Sequence, residues 1–160
     1  MIDPTTVVVF DVNVYLDDIL GADGSWPLLP DVPPTTDNPA ADAISLAFGG
    51  RFRLFASAHI LRNVARVMRM AGQSEPIVEQ FVSAIVEMCE FSGGGVIEPA
   101  ERDHGVADYE DNAIVALAKD PSVDALIIVT SDHDLLDLGP ARNGRLILRP
   151  HEFVFRVLTP

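Results

Sequence analysis

The sequence predicts a three-layer α/β/α domain built around a central, mostly parallel sheet. Three observations lead there. Short β-branched apolar runs, above all TVVVF at 6–10 and ALIIVT at 125–130, have the length of fully buried strands. Segments with apolar residues at helical spacing separate them, and such alternation puts helices on both faces of a parallel sheet. At 160 residues with 48% hydrophobic content, the chain can bury one proper core, so a single domain over 1–160 is expected.

TVVVF, the first strand, stops at Asp11, and a helix through Val14 and Leu16 follows it. Residues 21–37, GADGSWPLLPDVPPTTD, are rich in Gly and Pro, hold the single Trp, and read as a long loop. Asn38 and Pro39 supply a cap and a first-turn proline for ADAISLAF, which Gly49 stops. FRLFAS is a second strand, after which Ser57 caps AHILRNVARVMRMAG and Gly72 ends it. Ser74 is expected to cap EPIVEQFVSAIVEMCEF, whose apolar positions from Ile77 to Cys89 keep the helical period. A turn at Gly93–Gly95 leads to VIEP as a short strand, and Asp108 caps YEDNAIVALAKD. After ALIIVT come SDHD, a short LLDL turn, RLILRP as an edge strand, and HEFVFRVL as a last helix begun at Pro150.

Composition excludes several classes. No apolar stretch approaches the roughly 20 residues of a membrane span, and the first residues, MIDPTT, are not a basic segment leading into an apolar one. A soluble, cytoplasmic protein is the expectation. Cys89 is the only cysteine, so an internal disulfide is impossible, and its apolar neighbours mark it as a core residue. A net charge of −13 argues against a general nucleic-acid coat, which needs clustered Lys and Arg. The charge is uneven, however. Residues 1–50 hold eight Asp and no Lys or Arg, whereas Arg51, Arg53, Arg62, Arg66 and Arg69 are five of the eleven basic residues.

In a parallel sheet, ligands bind beyond the carboxyl ends of the strands. Asp11 lies just past the end of the first strand and Asp132 just past ALIIVT, with Asp134 two residues on. Asp108 and Asp111 share one face at a helix start, and Asp111 is in register with Ile114, Val115 and Ala118, which turns it toward the sheet. Any one of these acids serves equally well as a local cap. Three elements aiming carboxylates at one edge is a different matter. Crowded carboxylates repel unless a cation neutralises them, and a hard divalent ion such as Mg²⁺ or Mn²⁺ takes oxygen ligands and bridges to phosphate.

FDVNVYL at 10–16, SAHILRNVARVM at 57–68, DYEDNAIVALA at 108–118, VTSDHDLLDL at 129–138 and RPHEFV at 149–154 resemble, in order and spacing, the successive blocks of a PIN domain. Within that family a free-standing domain of this size is similar to VapC-type toxins of bacterial toxin–antitoxin pairs. The resemblance implies a metal-dependent ribonuclease acting on single-stranded RNA. It places the metal-binding acids on Asp11, Asp111 and Asp132, with Asp134 as an additional acid. Asn13 takes a small polar position beside the first acid, and Thr130 and Ser131 become phosphate or water contacts. An antitoxin protein and a homodimer are the implied partners.

One position departs from the family pattern. The second acid of the family falls on Asn63, which offers a carbonyl oxygen but no charge. Compensation by Asp108, Glu110 or Asp134 keeps the nuclease reading; loss of catalysis would instead leave an RNA- or protein-binding module. Arg62, Arg66 and Arg69 line one face of the same helix and are suited to backbone phosphates, with Arg51 and Arg53 before them on the strand. The alternative is a solvated face paired with Glu75 or Glu79. His133 reads as an exposed turn residue, and His59, His104 and His151 stand in no informative pattern. A phosphatase of the haloacid-dehalogenase type would want an acid where Asn13 stands and a well-placed lysine, and Lys119, at a helix end, is the only one.

Overall fold

The computed structural model describes residues 2–21, 38–99, 109–142 and 144–159. Among these residues six strands form one sheet: β1 (Val7–Phe10), β2 (Arg53–Ala56), β3 (Gly95–Val96), β4 (Ile127–Val129), β5 (Ala141–Arg142) and β6 (Arg145–Leu148). Their order is β3-β2-β1-β4-β6-β5, and every pairing is parallel except that of β5 with β6. β1 is therefore central. From it the chain winds one way through β2 and β3 and the other way through β4 and β6, which makes the β1–β4 seam the point where strand order reverses.

Helices α1 (Val12–Gly21), α2 (Pro39–Phe48), α3 (Ala58–Met70), α4 (Glu75–Phe91) and α7 (Pro150–Leu158) pack on one another as one layer. α5 (Tyr109–Lys119) packs against β1 and β4, and the short α6 (His133–Leu136) lies by β6. The expected three-layer arrangement is the one observed. The sheet's central strands are apolar: Val8, Val9 and Phe10 of β1 and Ile127, Ile128 and Val129 of β4 are buried, as the unbroken β-branched runs require. Phe153 of α7 meets both Phe10 and Phe52 edge-on, with the Phe52 and Phe153 ring centres 4.9 Å apart, and Phe10 and Phe52 are tilted against each other. Cys89 is a core residue, its thiol pushed up to about 12 by burial, with Glu90 adding to the effect.

Caps account for several helix starts. The Asn38 side chain accepts from the Ala41 N–H at 3.2 Å and the Ser57 hydroxyl from the Ile60 N–H at 3.1 Å, as their positions predict. Ser74 does not: its side chain makes no capping bond, and Pro76 and Glu75 in the first turn open α4 without it. VIEP forms a strand only at Val96, joined by Gly95, where the chain pairs with Phe55 and Ala56 of β2 at the edge of the sheet. RLILRP is not an edge strand. β5 pairs with β6 as an antiparallel hairpin and takes the edge itself, leaving β6 buried between two neighbours. The Pro/Gly-rich loop lies, beyond Gly21, outside the described residues, as do Asp108 and His104.

Candidate metal centre

Asp11 is held at a strand-to-helix junction. Its N–H donates to the Val129 carbonyl at 2.9 Å, adding one rung to the β1–β4 ladder, and its own carbonyl accepts from the Val14 N–H at 3.1 Å as α1 begins. The side chain is fixed by three donors. Oδ1 accepts from the Val12 N–H at 2.7 Å, while Oδ2 accepts from the Thr130 hydroxyl at 2.7 Å and from Asn13 Nδ2 at 3.0 Å. All three donors are neutral.

Asp132 is fixed from the β4 side. Its N–H donates to the Thr130 hydroxyl oxygen at 3.0 Å, and its Oδ1 accepts from the Asp134 N–H at 2.9 Å, capping α6. The cap and the site are thus the same residue, with the second carboxylate oxygen left for other use. Asp111 comes from the first turn of α5 and is buried, on a helix whose residues from Asp111 to Ala118 are all buried. These three acids converge. One carboxylate oxygen from each of Asp11, Asp111 and Asp132 lies within 4.8 Å of the other two.

Electrostatics makes that convergence costly without a cation. Burial pushes the Asp11 carboxyl above its ordinary range, and the neighbouring charge of Asp132 pushes it further, against the hydrogen bonds from Thr130, Val12 and Asn13. Tyr15, one helical turn on, is fully buried, and burial first, then Cys89 and Asp11, drive its hydroxyl well above the usual phenol range. It stays neutral and supplies no charge. Three hard oxygen donors from three separate elements, two of them buried, fit a divalent cation of the Mg²⁺ or Mn²⁺ kind.

The remaining candidates take distinct places. Asn13 bridges the two strand ends, its Nδ2 on Asp11 and its Oδ1 accepting from the Ser131 N–H at 3.1 Å, so it orients the site. Asp134 is exposed and contributes its N–H to Asp132. Ser131 and His133 are exposed at the turn. Asn63 is bonded along its own helix, with His59 Nε2 at 3.0 Å from Nδ2 and Arg66 Nη2 at 3.5 Å from Oδ1. In the sequence the only signal for His59 is its i, i+4 spacing to Asn63. Arg69 is paired with Glu75, both side chains half exposed. Arg53 lies level with Val7, four residues before Asp11 in the parallel register, so it sits about 13 Å away at the opposite edge, bonded to the Gly93 carbonyl. Arg51 is bonded to the Val157 carbonyl at 3.3 Å, and neither arginine belongs with the site.

A doubly wound sheet with three converging carboxylates at its reversal point defines a nuclease-type fold. The model of the PIN domain family matches residues 7–134, which spans β1 through the acid-bearing turn after β4. The chain belongs to the PIN domain family, whose members are generally metal-dependent nucleases. No curated protein matches it.

Proposed function

We propose that the chain is an endoribonuclease that cleaves single-stranded RNA with the help of Mg²⁺ or Mn²⁺, and that it is the toxin of a toxin–antitoxin pair. The meeting of Asp11, Asp111 and Asp132 within 4.8 Å carries the reading. Those three residues would hold the ion, which when bound polarises a phosphoryl oxygen and acidifies a water. Thr130 and Asn13 keep Asp11 aimed, and the exposed Ser131, His133 and Asp134 flank Asp132 on the side we assign to the RNA strand. A cytoplasmic enzyme of this kind needs restraint. The acid-lined cleft suits the Arg or Lys of a basic antitoxin segment, and a homodimer is the further association we assign to it.

Cleavage of a fluorophore-labelled single-stranded RNA tests the activity. The wild type is expected to cut in Mn²⁺, to stop in chelator, and to lose more than about 100-fold in rate on Asp11→Asn or Asp132→Asn, since ligands matter more than the groups that orient them. Asn63, in place of an acid, favours the second reading of an RNA- or protein-binding module. A wild type that binds Mn²⁺ and RNA without cutting would establish it. Titration with the product of the adjacent gene tests the antitoxin: a stoichiometric, inhibited complex is expected, and no complex rules that partner out.

A further inference from the structure

We propose that the outer faces of α3 and α4 form the contact between two copies of this chain, packed about a two-fold axis that runs along the helices and between them. The proposal gives the homodimer assigned above a surface, and it stands whether or not the chain cuts RNA. α3 and α4 are consecutive and pack against each other. They run antiparallel: α3 leaves the end of β2 at Ser57, and α4 comes back to set the Ser92 hydroxyl against the Leu54 N–H near the start of β2. Arg69 of α3 bonds Glu75 of α4, which marks a level shared by the two helices and the flank that each turns to the other.

The outward sides carry opposite charges. α3 buries Ile60, Val64 and Met68 and exposes Arg62 and Arg66; α4 buries Val78, Phe81 and Ile85 and exposes Glu79, Glu87 and, near its end, Glu90. Counted from the Arg69–Glu75 level at about 1.5 Å per residue, Arg66 and Glu79 stand nearly level, and Arg62 falls between the levels of Glu79 and Glu87. Among the described residues none of these charges is in an ion pair. Two exposed apolar side chains flank the rows at one end. Met70, 76% exposed, lies on the side of α3 away from α4, and Ile77, 45% exposed, on the side of α4 away from α3.

This layout selects its occupant. An extended anion, nucleic acid or acidic peptide alike, would reach Arg62 and Arg66 only beside Glu79, and a basic segment would reach Glu79 only beside Arg66. The fitting partner carries both signs side by side in the opposite order, and a second copy turned about the stated axis does so. That rotation keeps every residue at its own level and lays α3 of one copy over α4 of the other. Arg66 then faces the partner's Glu79, Arg62 faces the gap between the partner's Glu79 and the partner's Glu87, and Met70 meets the partner's Ile77, each contact occurring twice. A two-fold running across the helices would instead set α3 on α3 and like charges together. Each copy carries a net charge of −13, which opposes association through any face that does not match positive with negative. With α4 about 25 Å long and the pair about 20 Å across, the face covers about 500 Å² per copy against the usual value of about 800 Å², so dissociation in the micromolar range is expected.

Sedimentation equilibrium in chelator, without RNA, measures the dimer over a range of micromolar protein concentrations. Arg66→Glu and Glu79→Arg are each expected to weaken it at least about 10-fold, because one reversal sets like charges together at both symmetry-related contacts. Glu79→Arg is the sharper case: it lowers the net negative charge, so simple relief of repulsion would tighten the dimer. The double variant restores the pairs with their signs exchanged and is expected to return to within about 3-fold of the wild type. Arg156→Glu, an equal charge change on α7, should leave association nearly unchanged. A wild type that is monomeric throughout overturns the proposal. So does a dimer that ignores both reversals, which leaves a homodimer through another face, and so does a double variant as weak as the singles. If the wild type is monomeric and the single reversals weaken binding of RNA or of the adjacent gene's product, the face belongs to that ligand and the dimer is wrong. Cleavage is read separately: a monomer that cuts RNA leaves the nuclease reading intact, and a dimer that does not cut leaves this surface intact.

Discussion

The Thr130 hydroxyl donates to Asp11 Oδ2 at 2.7 Å and accepts the Asp132 N–H at 3.0 Å, so one side chain positions two acids of the site. Thr130 is fully buried at the end of β4, and its own N–H is taken by the Leu148 carbonyl of β6 at 3.0 Å. The hydroxyl therefore works across the β1–β4 seam with its backbone already fixed by the sheet. Asn13 reinforces the same seam from the α1 side, its amide spanning Asp11 and the Ser131 N–H. Two of the three acids are thus tied directly to the ends of paired strands, which fixes their spacing.

Thr130→Val keeps the volume and removes the hydroxyl. Asp11 loses a donor and the half-buried Asp132 N–H loses its acceptor, an unsatisfied group that costs about 1 kcal/mol, the low end because water reaches it. Cleavage is expected to fall about 10–100-fold, the range for groups that orient a metal ligand, with most of it regained in Thr130→Ser. Single-turnover rates beside thermal melts separate the two effects. Wild-type rates in the Val variant would remove Thr130 from the site.

Acid should strengthen the metal-free protein at this one group, against the usual trend. The Asp11 carboxyl is pushed up by burial first and by Asp132 next, so folded Asp11 holds its proton more tightly than the unfolded chain, whose value is near 3.8. Its contribution to stability is full below that value and is lost as pH rises through the raised folded pKa. In chelator, the melting temperature of the wild type minus that of Asp11→Asn should therefore decrease from pH 4 toward neutrality. Mn²⁺ reverses the cost at neutral pH, by about 2.7 kcal/mol at a hundred times its dissociation constant, and only in the wild type. A difference that is flat or rises with pH would show that Asp11 is not held against its charge.

Much of this was legible in the sequence because the signals were local. TVVVF and ALIIVT read as buried strands from their β-branched runs, and Asn38 and Ser57 read as caps from their positions ahead of apolar periods. Asp11, Asp111 and Asp132 are legible as acids that follow strands or face inward from a helix start. What failed was non-local. β5 has two residues, too few for any pattern, so the sequence alone puts β6 at the edge. The distance between Arg53 and the site follows only from the register of β1 and β2, and the link between His59 and Asn63 depends on which amide atom faces Arg66.

Gly94 is required by close approach rather than by backbone conformation. α4 ends at Phe91, and the Ser92 hydroxyl then donates to the Cys89 carbonyl at 2.7 Å while accepting the Leu54 N–H at 2.9 Å, which draws the chain down onto β2. A Cβ at Gly94 would overlap the carbonyl group of Leu54. That obstacle is backbone and cannot rotate away, so Gly94→Ala must push β3 off β2 and disturb the pairing of Gly95 with Phe55 and Val96 with Ala56. A loss of about 3 kcal/mol is expected, the upper end for overpacking a core site. Gly95→Ala is the control, because a Cβ there meets nothing within 4 Å. Chemical denaturation of the two variants decides the matter: equal midpoints would mean that β2 and β3 tolerate separation, while a drop confined to Gly94→Ala fixes the contact as structural.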